Sequence, residues 1–207
     1  MAYNLKFSAA LKNAQQDAIT AKAGANALID ILAGTQLANP DTAIAATTLS
    51  GAITNSALAL VLASAAGFPA AGNFVLFIEN EQVLVTAGQG SANLTVTRGY
   101  NNTTAAAHAS GVAITNAIVL ATATCNATFA PASSAGVVTL NAITSGTGTA
   151  AAGTGTNATW YRLKTSAGVP LVDGTVGVSA SDLNLNNVNI ATGQAVAIST
   201  GSYTNAN

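Results

Sequence analysis

The sequence is poor in ionised side chains. Six Lys or Arg residues and seven Asp or Glu residues make up 6% of its 207 residues, whereas a typical soluble domain is about 25% charged. A surface built instead from Thr, Ser, Asn, Gly and Ala gives little charge repulsion between copies. This composition favours a subunit that is packed beside copies of itself or beside a partner.

Other absences exclude several kinds of site. Cys125 is the only cysteine and His108 the only histidine, so an intrachain disulfide and the usual zinc sites are excluded. Cys125 lies in an alternating run, which predicts a small buried side chain. The net charge of −1 provides no basic stripe, which argues against nucleic-acid binding. No apolar core follows Lys6, and the apolar run 57–72 is too short for a membrane helix, so neither secretion nor membrane insertion is expected.

The first fifth of the chain predicts one helix over about residues 8–24. Ser8 is a candidate N-cap and Gly24 a candidate end. Apolar residues recur at spacings of three or four, at Leu11, Ala14, Ala18, Ile19 and Ala25. Residues 26–34 fit either a continuation of the helix or a strand.

After the helix, the pattern changes to short alternating strands. Residues 51–115 form one small β unit, a barrel or folded sheet, in which Phe74, Leu76 and Ile78 share a face. Residues 1–50 and 116–207 form the rest, predicted as a β-sandwich. Its patterns also predict local features: a hairpin around Ser166-Ala167-Gly168, a turn at Asp173-Gly174, a bulge at Asn186-Asn187 and an irregular loop over 144–157.

The C-terminal part carries a recognisable pattern. The segments "WYRLKTSAGVPLVDGTVG" and "DLNLNNVNI", preceded by "ATCNATFAPASSAGVVTLNAITSGT", resemble a group of tailed-bacteriophage virion proteins with a "WFRL…DGTVG…DLNLN" signature. The N-terminal helix followed by "LIDILAGTQLANPDTAIAATTL" is similar to the same group. This resemblance implies a jelly-roll-like β-sandwich that serves as a decoration or head-associated protein.

The intervening segment carries a second resemblance. "GFPAAGNFVLFIENEQVLVT" and "LTVTRGYNNTTAAAHASGVAIT" resemble a small β module that is inserted in many phage tail, fibre and head proteins. The two resemblances together imply a virion structural protein with an inserted domain. They do not distinguish between the capsid surface and the neck or tail.

Arg98 and His108 are the first candidates for chemistry. A histidine base needs a group that orients it and a nucleophile within reach, and the Ser and Thr residues nearby are too common in this chain to be a signal. We therefore expect His108 to bond locally in a loop. Arg98 is expected to pair with Glu79 or Glu81 or to bind backbone carbonyls.

Glu79 and Glu81 are spaced by two on a predicted strand and would share one face. Two carboxylates on one face suit a glycosidase pair or a calcium ligand set. The aromatic platforms of a sugar-cleaving site are missing nearby, so the favoured interpretation is a solvated strand face with Arg98 opposite.

The remaining polar candidates lie in the C-terminal half. Trp160, Arg162 and Lys164 alternate onto one strand face, which we predict as a subunit contact, with Trp160 as plain core as the alternative. Asp182 is expected to cap or staple a turn. The asparagines of the "DLNLNNVNI" run suit sugar binding or, more simply, backbone hydrogen bonds; they are Asn184, Asn186, Asn187 and Asn189.

Together these patterns predict a non-enzymatic virion protein with no catalytic residue, cofactor or metal site. The leading hypothesis is a capsid decoration, or cement, protein on the outer head lattice, with the major capsid protein as partner and a trimer as the favoured oligomer. A neck, collar or tail adaptor or fibre-base protein is the alternative within the virion. A carbohydrate-binding adhesin that uses the asparagines or the inserted unit is the alternative from another class.

Overall fold

The computed structural model describes residues 6–149 and 155–204. Within these ranges the one α-helix, α1, spans Ala9–Ala23. The Ser8 hydroxyl accepts a hydrogen bond from the Leu11 N–H at 3.2 Å, and Gly24 ends the helix at a φ of 68°. Both predicted helix ends are confirmed, because an N-cap hydroxyl and a left-handed glycine satisfy the backbone groups that a helix leaves open.

The face that α1 turns inward is only partly the predicted apolar one. Ile19 packs against the larger core, to which Ala23 also belongs, but Leu11 is 46% exposed and Gln16 is buried. Two hydrogen bonds add to these apolar contacts: the Ser133 N–H donates to Asp17 Oδ1 and the Gly136 N–H donates to Asn13 Oδ1, each at 2.8 Å. The predicted stripe consists mostly of alanines, which bury little area, so these hydrogen bonds contribute to the orientation of the helix.

Seventeen strands make up the sheets of the described residues. Strands β1–β7 are Leu28–Gly34, Ala46–Thr48, Ala59–Val61, Phe74–Ile78, Glu81–Ala87, Asn93–Thr97 and Ala113–Thr115. Strands β8–β17 are Ala117–Thr124, Val137–Thr139, Gly146–Thr147, Thr156–Asn157, Trp160–Lys164, Pro170–Gly177, Leu183–Leu185, Asn189–Ile190, Ala195–Val196 and Ile198–Thr204. The predicted mainly β fold with one N-terminal helix is confirmed, and it is consistent with a β-sandwich.

The larger sheet has seven strands in the order β8-β1-β12-β13-β14-β17-β9. Residues 28–34, left open between helix and strand, form β1 in its interior, with antiparallel neighbours on both edges. Residues 29–33 are all buried, which explains why this segment shows no clean alternation. Two short pairs, β10 with β16 and β11 with β15, lie at the ends of the predicted 144–157 loop, of which residues 150–154 lie outside the described ranges.

The second sheet has six strands in the order β2-β7-β4-β5-β6-β3. Its two edges meet at a bridge between Leu49 and Leu62, beside hydrogen bonds from the Ser50 N–H to the Val61 carbonyl and from the Ala63 N–H to the Thr48 carbonyl. The sheet therefore curls round its own core of Leu, Val, Ile and Phe side chains. We call residues 46–115, which carry this sheet, the module; its first strand precedes the predicted boundary at residue 51.

One predicted turn and one predicted bulge are wrong. The hairpin at Ser166–Gly168 is confirmed between β12 and β13, but Asp173-Gly174 lies inside β13 with Asp173 opposite Arg162. At Asn186-Asn187 the chain does not bulge: β14 pairs with β17, whereas β15 pairs with β11. Pairing with distant strands overrides the local turn signal at each place.

The module is packed directly against the larger sheet. Phe77 of β4 belongs to the larger core, and Leu32, Ala117 and Trp160 form a small cluster at the junction. Gly34 lies at the same junction with a φ of 110°, and a Cβ there would lie 2.5 Å from the Asn116 carbonyl oxygen. Only glycine fits this position.

We predict that Gly34→Ala lowers the free energy of unfolding by about 2 kcal/mol or more, because the new Cβ meets backbone and the φ is strained. Gly51→Ala is the matched control, since nothing lies within 4 Å of its added Cβ, and it should change stability by less than about 0.5 kcal/mol. Urea unfolding of both variants measures the difference. Equal unfolding midpoints would contradict the close approach at Gly34.

Candidate functional site

The module contains a group of four ionisable side chains, which we call the ionic network: Glu81, Arg98 and His108 are buried, and Glu79 lies at its exposed edge. Arg98 Nε lies 2.7 Å from Glu81 Oε1 and Arg98 Nη2 lies 2.8 Å from Glu81 Oε2, a two-pronged ion pair. The side chains of Arg98 and Glu81 are 5% and 1% exposed. The predicted pairing of Arg98 with one of these glutamates is confirmed.

Arg98 also binds backbone, as the sequence predicted. Its guanidinium donates to the carbonyls of Thr54, Ala57 and Ala106 at 2.8, 3.1 and 2.5 Å. These carbonyls lie in two loops that are distant from each other in sequence. Arg98 therefore ties both loops to the start of β5.

Glu81 is held in its ionised form. Burial raises the pKa of this carboxyl, but hydrogen bonds from Arg98, from the backbone N–H groups of Ala106 and Gly99 and from His108 outweigh burial, and the pKa is lowered to about 2. Both oxygens are used, since the Gly99 N–H binds Oε1 and the Ala106 N–H binds Oε2, each at 3.0 Å. A carboxylate so fully occupied has no lone pair directed at an outside cation.

His108 lies between two carboxylates. Nδ1 is 2.7 Å from Glu79 Oε2 and Nε2 is 2.8 Å from Glu81 Oε2. Ionised carboxylates only accept, so the doubly protonated ring is the form that satisfies both contacts. The prediction that His108 bonds locally in a loop is wrong, because its ring is buried and both of its partners are distant in sequence. Its backbone forms a β-bridge with Ile53. Both ring nitrogens are occupied, which leaves neither to accept a proton from a substrate.

The predicted shared face of Glu79 and Glu81 is wrong. β4 ends at Ile78 and β5 begins at Glu81, so Glu79 lies in the turn between them with a left-handed φ of 52°. The Glu79 side chain is 57% exposed and the Glu81 side chain 1%. The turn reverses the chain after Ile78, and the two carboxylates meet only through the His108 ring.

The strand face of Trp160, Arg162 and Lys164 is covered by the chain itself. Trp160 is 0% exposed and Arg162 is 6% exposed, and the guanidinium lies over the indole ring at 5.3 Å. A subunit contact through these two side chains would require them to be uncovered, so this prediction is not supported by their burial. The alternative interpretation, Trp160 as plain core, fits the structure.

The cations on this face are paired within the chain. Arg162 Nε and Nη2 each lie 2.7 Å from an oxygen of Asp173, and Nη1 donates to the Thr42 carbonyl. Lys164 contacts Asp30. These pairs join β12 to its two neighbours β13 and β1, which is a structural role.

Other polar predictions hold locally. Asp182 Oδ2 accepts from both the N–H and the hydroxyl of Thr175 at 2.8 Å, which staples β13 to the next segment. The Asn186 side chain accepts from the Ala197 N–H, and that of Asn187 accepts from the Asn189 N–H. Cys125 is 3% exposed, as predicted, and burial raises the pKa of its thiol to about 11.

The sequence did not indicate a cleft that opens between the module and the larger sheet. Gln82, Tyr100 and Asn101 line it from the module, and Asn157 and Thr159 line it from the other side. These residues come from three separate parts of the chain, so no local motif joins them.

In residues 6–149 and 155–204, no group of three or more His, Cys, Asp or Glu side chains is placed to hold a metal ion. No helix in these ranges has the length and apolarity needed to cross a bilayer.

We predict that Glu81→Gln lowers the free energy of unfolding by about 3–5 kcal/mol, because it leaves the Arg98 charge buried without its partner. Glu79→Gln is the matched control: its side chain is 57% exposed, so the loss should stay below about 1 kcal/mol. Denaturant unfolding at neutral pH compares the two variants. A larger loss for Glu79→Gln would contradict the assignment of Glu81 as the centre of the network.

We also predict a loss of stability in acid that depends on Glu81. The pKa of this carboxyl is lowered from 4.5 to about 2 on folding, so its contribution is complete above pH 4.5 and falls as the pH drops towards 2. The contribution is about 3 kcal/mol. Unfolding of the wild type and Glu81→Gln at several pH values across this window should show their stabilities converging. Parallel curves would contradict the lowered pKa.

Comparison with known proteins identifies no relative. No family model matches the chain, and neither a curated protein nor a solved structure matches it. The function of this chain therefore has to be inferred from its own residues, charges and geometry.

Proposed function

We propose that this protein is a structural component of a tailed-phage virion, a decoration protein that binds the outer surface of the head lattice. The observation that carries the proposal is how few charges remain outside ion pairs. Three ion pairs, Arg98–Glu81, Arg162–Asp173 and Lys164–Asp30, use six of the thirteen charged side chains internally. Of the other seven, Glu79 contacts His108, and six remain: Lys6, Lys12, Asp17, Lys22, Asp41 and Asp182.

Such a surface suits permanent contact better than free solution. Charges on the outside of a free protein keep copies apart, and they are costly to bury in a contact unless paired. A surface of hydroxyls, amides and methyl groups avoids the larger cost of desolvating charges, and its hydroxyls and amides can form hydrogen bonds across the contact. In a lattice, many such contacts across neighbouring capsid subunits add area at joints that internal pressure would open.

The outer face of α1 is the surface we expect to meet the lattice. Asp17 and Asn13 bind the inner face of this helix to the loop at residues 133–136, so the opposite face points outward. Leu11 is 46% exposed on the outer face, and the exposed residues Ala14 and Ala18 follow it. Small side chains let another backbone approach closely, and Leu11 provides an apolar anchor.

The test is to find the chain in purified particles and to challenge its attachment. We expect copies on the order of hundreds per particle, arranged with the symmetry of the head. Because the contact uses few charges, the protein should stay bound when salt is raised from about 0.1 M to about 1 M. A particle map and quantitative mass spectrometry of salt-washed particles measure both. Absence from the particle, or complete release by salt, would contradict the proposal.

A matched pair of variants tests the docking face. Leu11→Glu should weaken attachment about tenfold or more because it places a charge in an apolar contact. Val178→Glu changes an equally apolar side chain that is 61% exposed elsewhere, and it should bind like the wild type. Equal binding of both variants would remove α1 as the docking face. A copy number of about ten or fewer would favour the neck or tail, where the module's resemblance also points.

A further inference from the structure

The cleft between the module and the larger sheet has a volume of about 300 Å³. This is the lower end of the range for small-molecule sites, which favour the junctions between structural units. No charged side chain is among the residues that line it: Gly34, Thr35, Val75, Gln82, Tyr100, Asn101, Asn157 and Thr159. A ligand here would be recognised by amides, hydroxyls and one aromatic ring.

Gln82 is the residue that points to a ligand. It is 6% exposed and lines the cleft, and its side-chain oxygen accepts from Asn101 Nδ2 at 2.8 Å. Its side-chain NH2 donates to no partner within residues 6–149 and 155–204. This NH2 is not cut off from solvent, so it is open to the cleft and can donate to a group that enters it.

The loop beside Gln82 is fixed in advance. Asn101 and Asn102 both adopt left-handed backbone conformations, with φ values of 53° and 62°. The Thr103 hydroxyl donates to the Tyr100 carbonyl at 2.8 Å and accepts from the Gln82 N–H at 3.0 Å. Unusual backbone geometry that is held by surrounding bonds is typical of ligand clamps, and a loop ordered beforehand loses less entropy on binding.

The opposite wall offers complementary groups. Asn157 Oδ1 accepts from Asn189 Nδ2 at 3.1 Å, which orients the Asn157 amide and leaves its NH2 to donate. The Thr159 hydroxyl donates to the Gly34 carbonyl at 2.6 Å, so its lone pairs remain to accept. Donors and acceptors therefore face each other across the cleft.

We propose that this cleft binds a neutral carbohydrate of one or two sugar rings. Sugar hydroxyls both donate and accept, which matches amide NH2 groups beside hydroxyl lone pairs. The half-buried Tyr100 ring supplies an apolar surface for the C–H groups of a sugar. The uncharged lining gives a phosphate or carboxylate no counter-charge, so an anionic ligand is not expected. This site goes beyond the proposed structural role and does not depend on where the chain lies in a particle.

The experiment is an NMR titration of the isotope-labelled full chain with a panel of neutral sugars: glucose, galactose, mannose, N-acetylglucosamine, lactose and maltose. At least one should shift the side-chain amide signals of Gln82, Asn101 and Asn157 with a Kd of about 1 mM. Tyr100→Ala and Asn157→Ala should each weaken that binding about tenfold. They alter opposite walls, so a fold defect in one variant leaves the other as a test.

The matched control is Asn73→Ala, which removes an exposed amide of the module away from the cleft. It should bind the sugar like the wild type, and the urea midpoints of all variants show which of them remain folded. Three results would overturn the proposal: no shift at about 50 mM of any sugar, undiminished binding in both folded cleft variants, or preferential binding of an acidic sugar such as glucuronate.

Discussion

The buried Glu81 carboxylate is the interaction on which the geometry of the module depends. Its two oxygens accept from the Arg98 guanidinium, from two backbone N–H groups and from the His108 ring. Arg98 in turn binds carbonyls of two loops. The sheet curls round its own apolar core, and the charged centre adds hydrogen bonds that hold the loops around Thr54 and Ala106 in place.

The same use of charge recurs in the larger sheet and explains the composition. Arg162 and Asp173 pair between β12 and β13, and Lys164 reaches Asp30 on the next strand. A buried charge left without a partner is expensive, whereas one with a two-pronged partner and carbonyl bonds is tolerated. A chain with few charges that places half of them in such pairs leaves an outer surface almost without ionised groups. The low number of charged side chains and their internal pairing together leave a weakly charged surface, which suits contact with other subunits.

The sequence predicts features that depend on neighbouring residues and misses those that depend on distant ones. The ends of α1 follow from Ser8 and Gly24 alone, and the burial of Phe74, Leu76 and Ile78 follows from strand alternation. The turn at Glu79 carries no glycine or proline signal, so its carboxylate was assigned to a strand. Asp173 precedes a glycine, which predicts a turn, but its pairing with Arg162 on β12 places it inside β13.

The inward face of α1 shows the same limit in part. Ile19 of the predicted stripe packs inward, but the hydrogen bonds of Asp17 and Asn13 with residues 133–136 depend on a distant segment and carry no local signal. The cleft was beyond any local pattern. Its walls come from strand ends and loops that adjoin only because Phe77 and Trp160 pack the module against the larger sheet. The cleft residues are distant from one another in sequence, and only the packing of the two cores brings them together.

The Arg98–Glu81 ion pair lies next to the cleft in the sequence and in the fold. Gln82 directly follows Glu81, and Tyr100 lies two residues after Arg98, so the ion pair holds the backbone beside two of the residues that line the module side of the cleft. The ion pair therefore orders the proposed binding groups before a ligand enters. This lowers the entropy cost of binding a sugar in an uncharged cleft. A single cleft of this size binds weakly. On the proposed particle, many copies would together bind a sugar-covered surface more firmly than one copy alone.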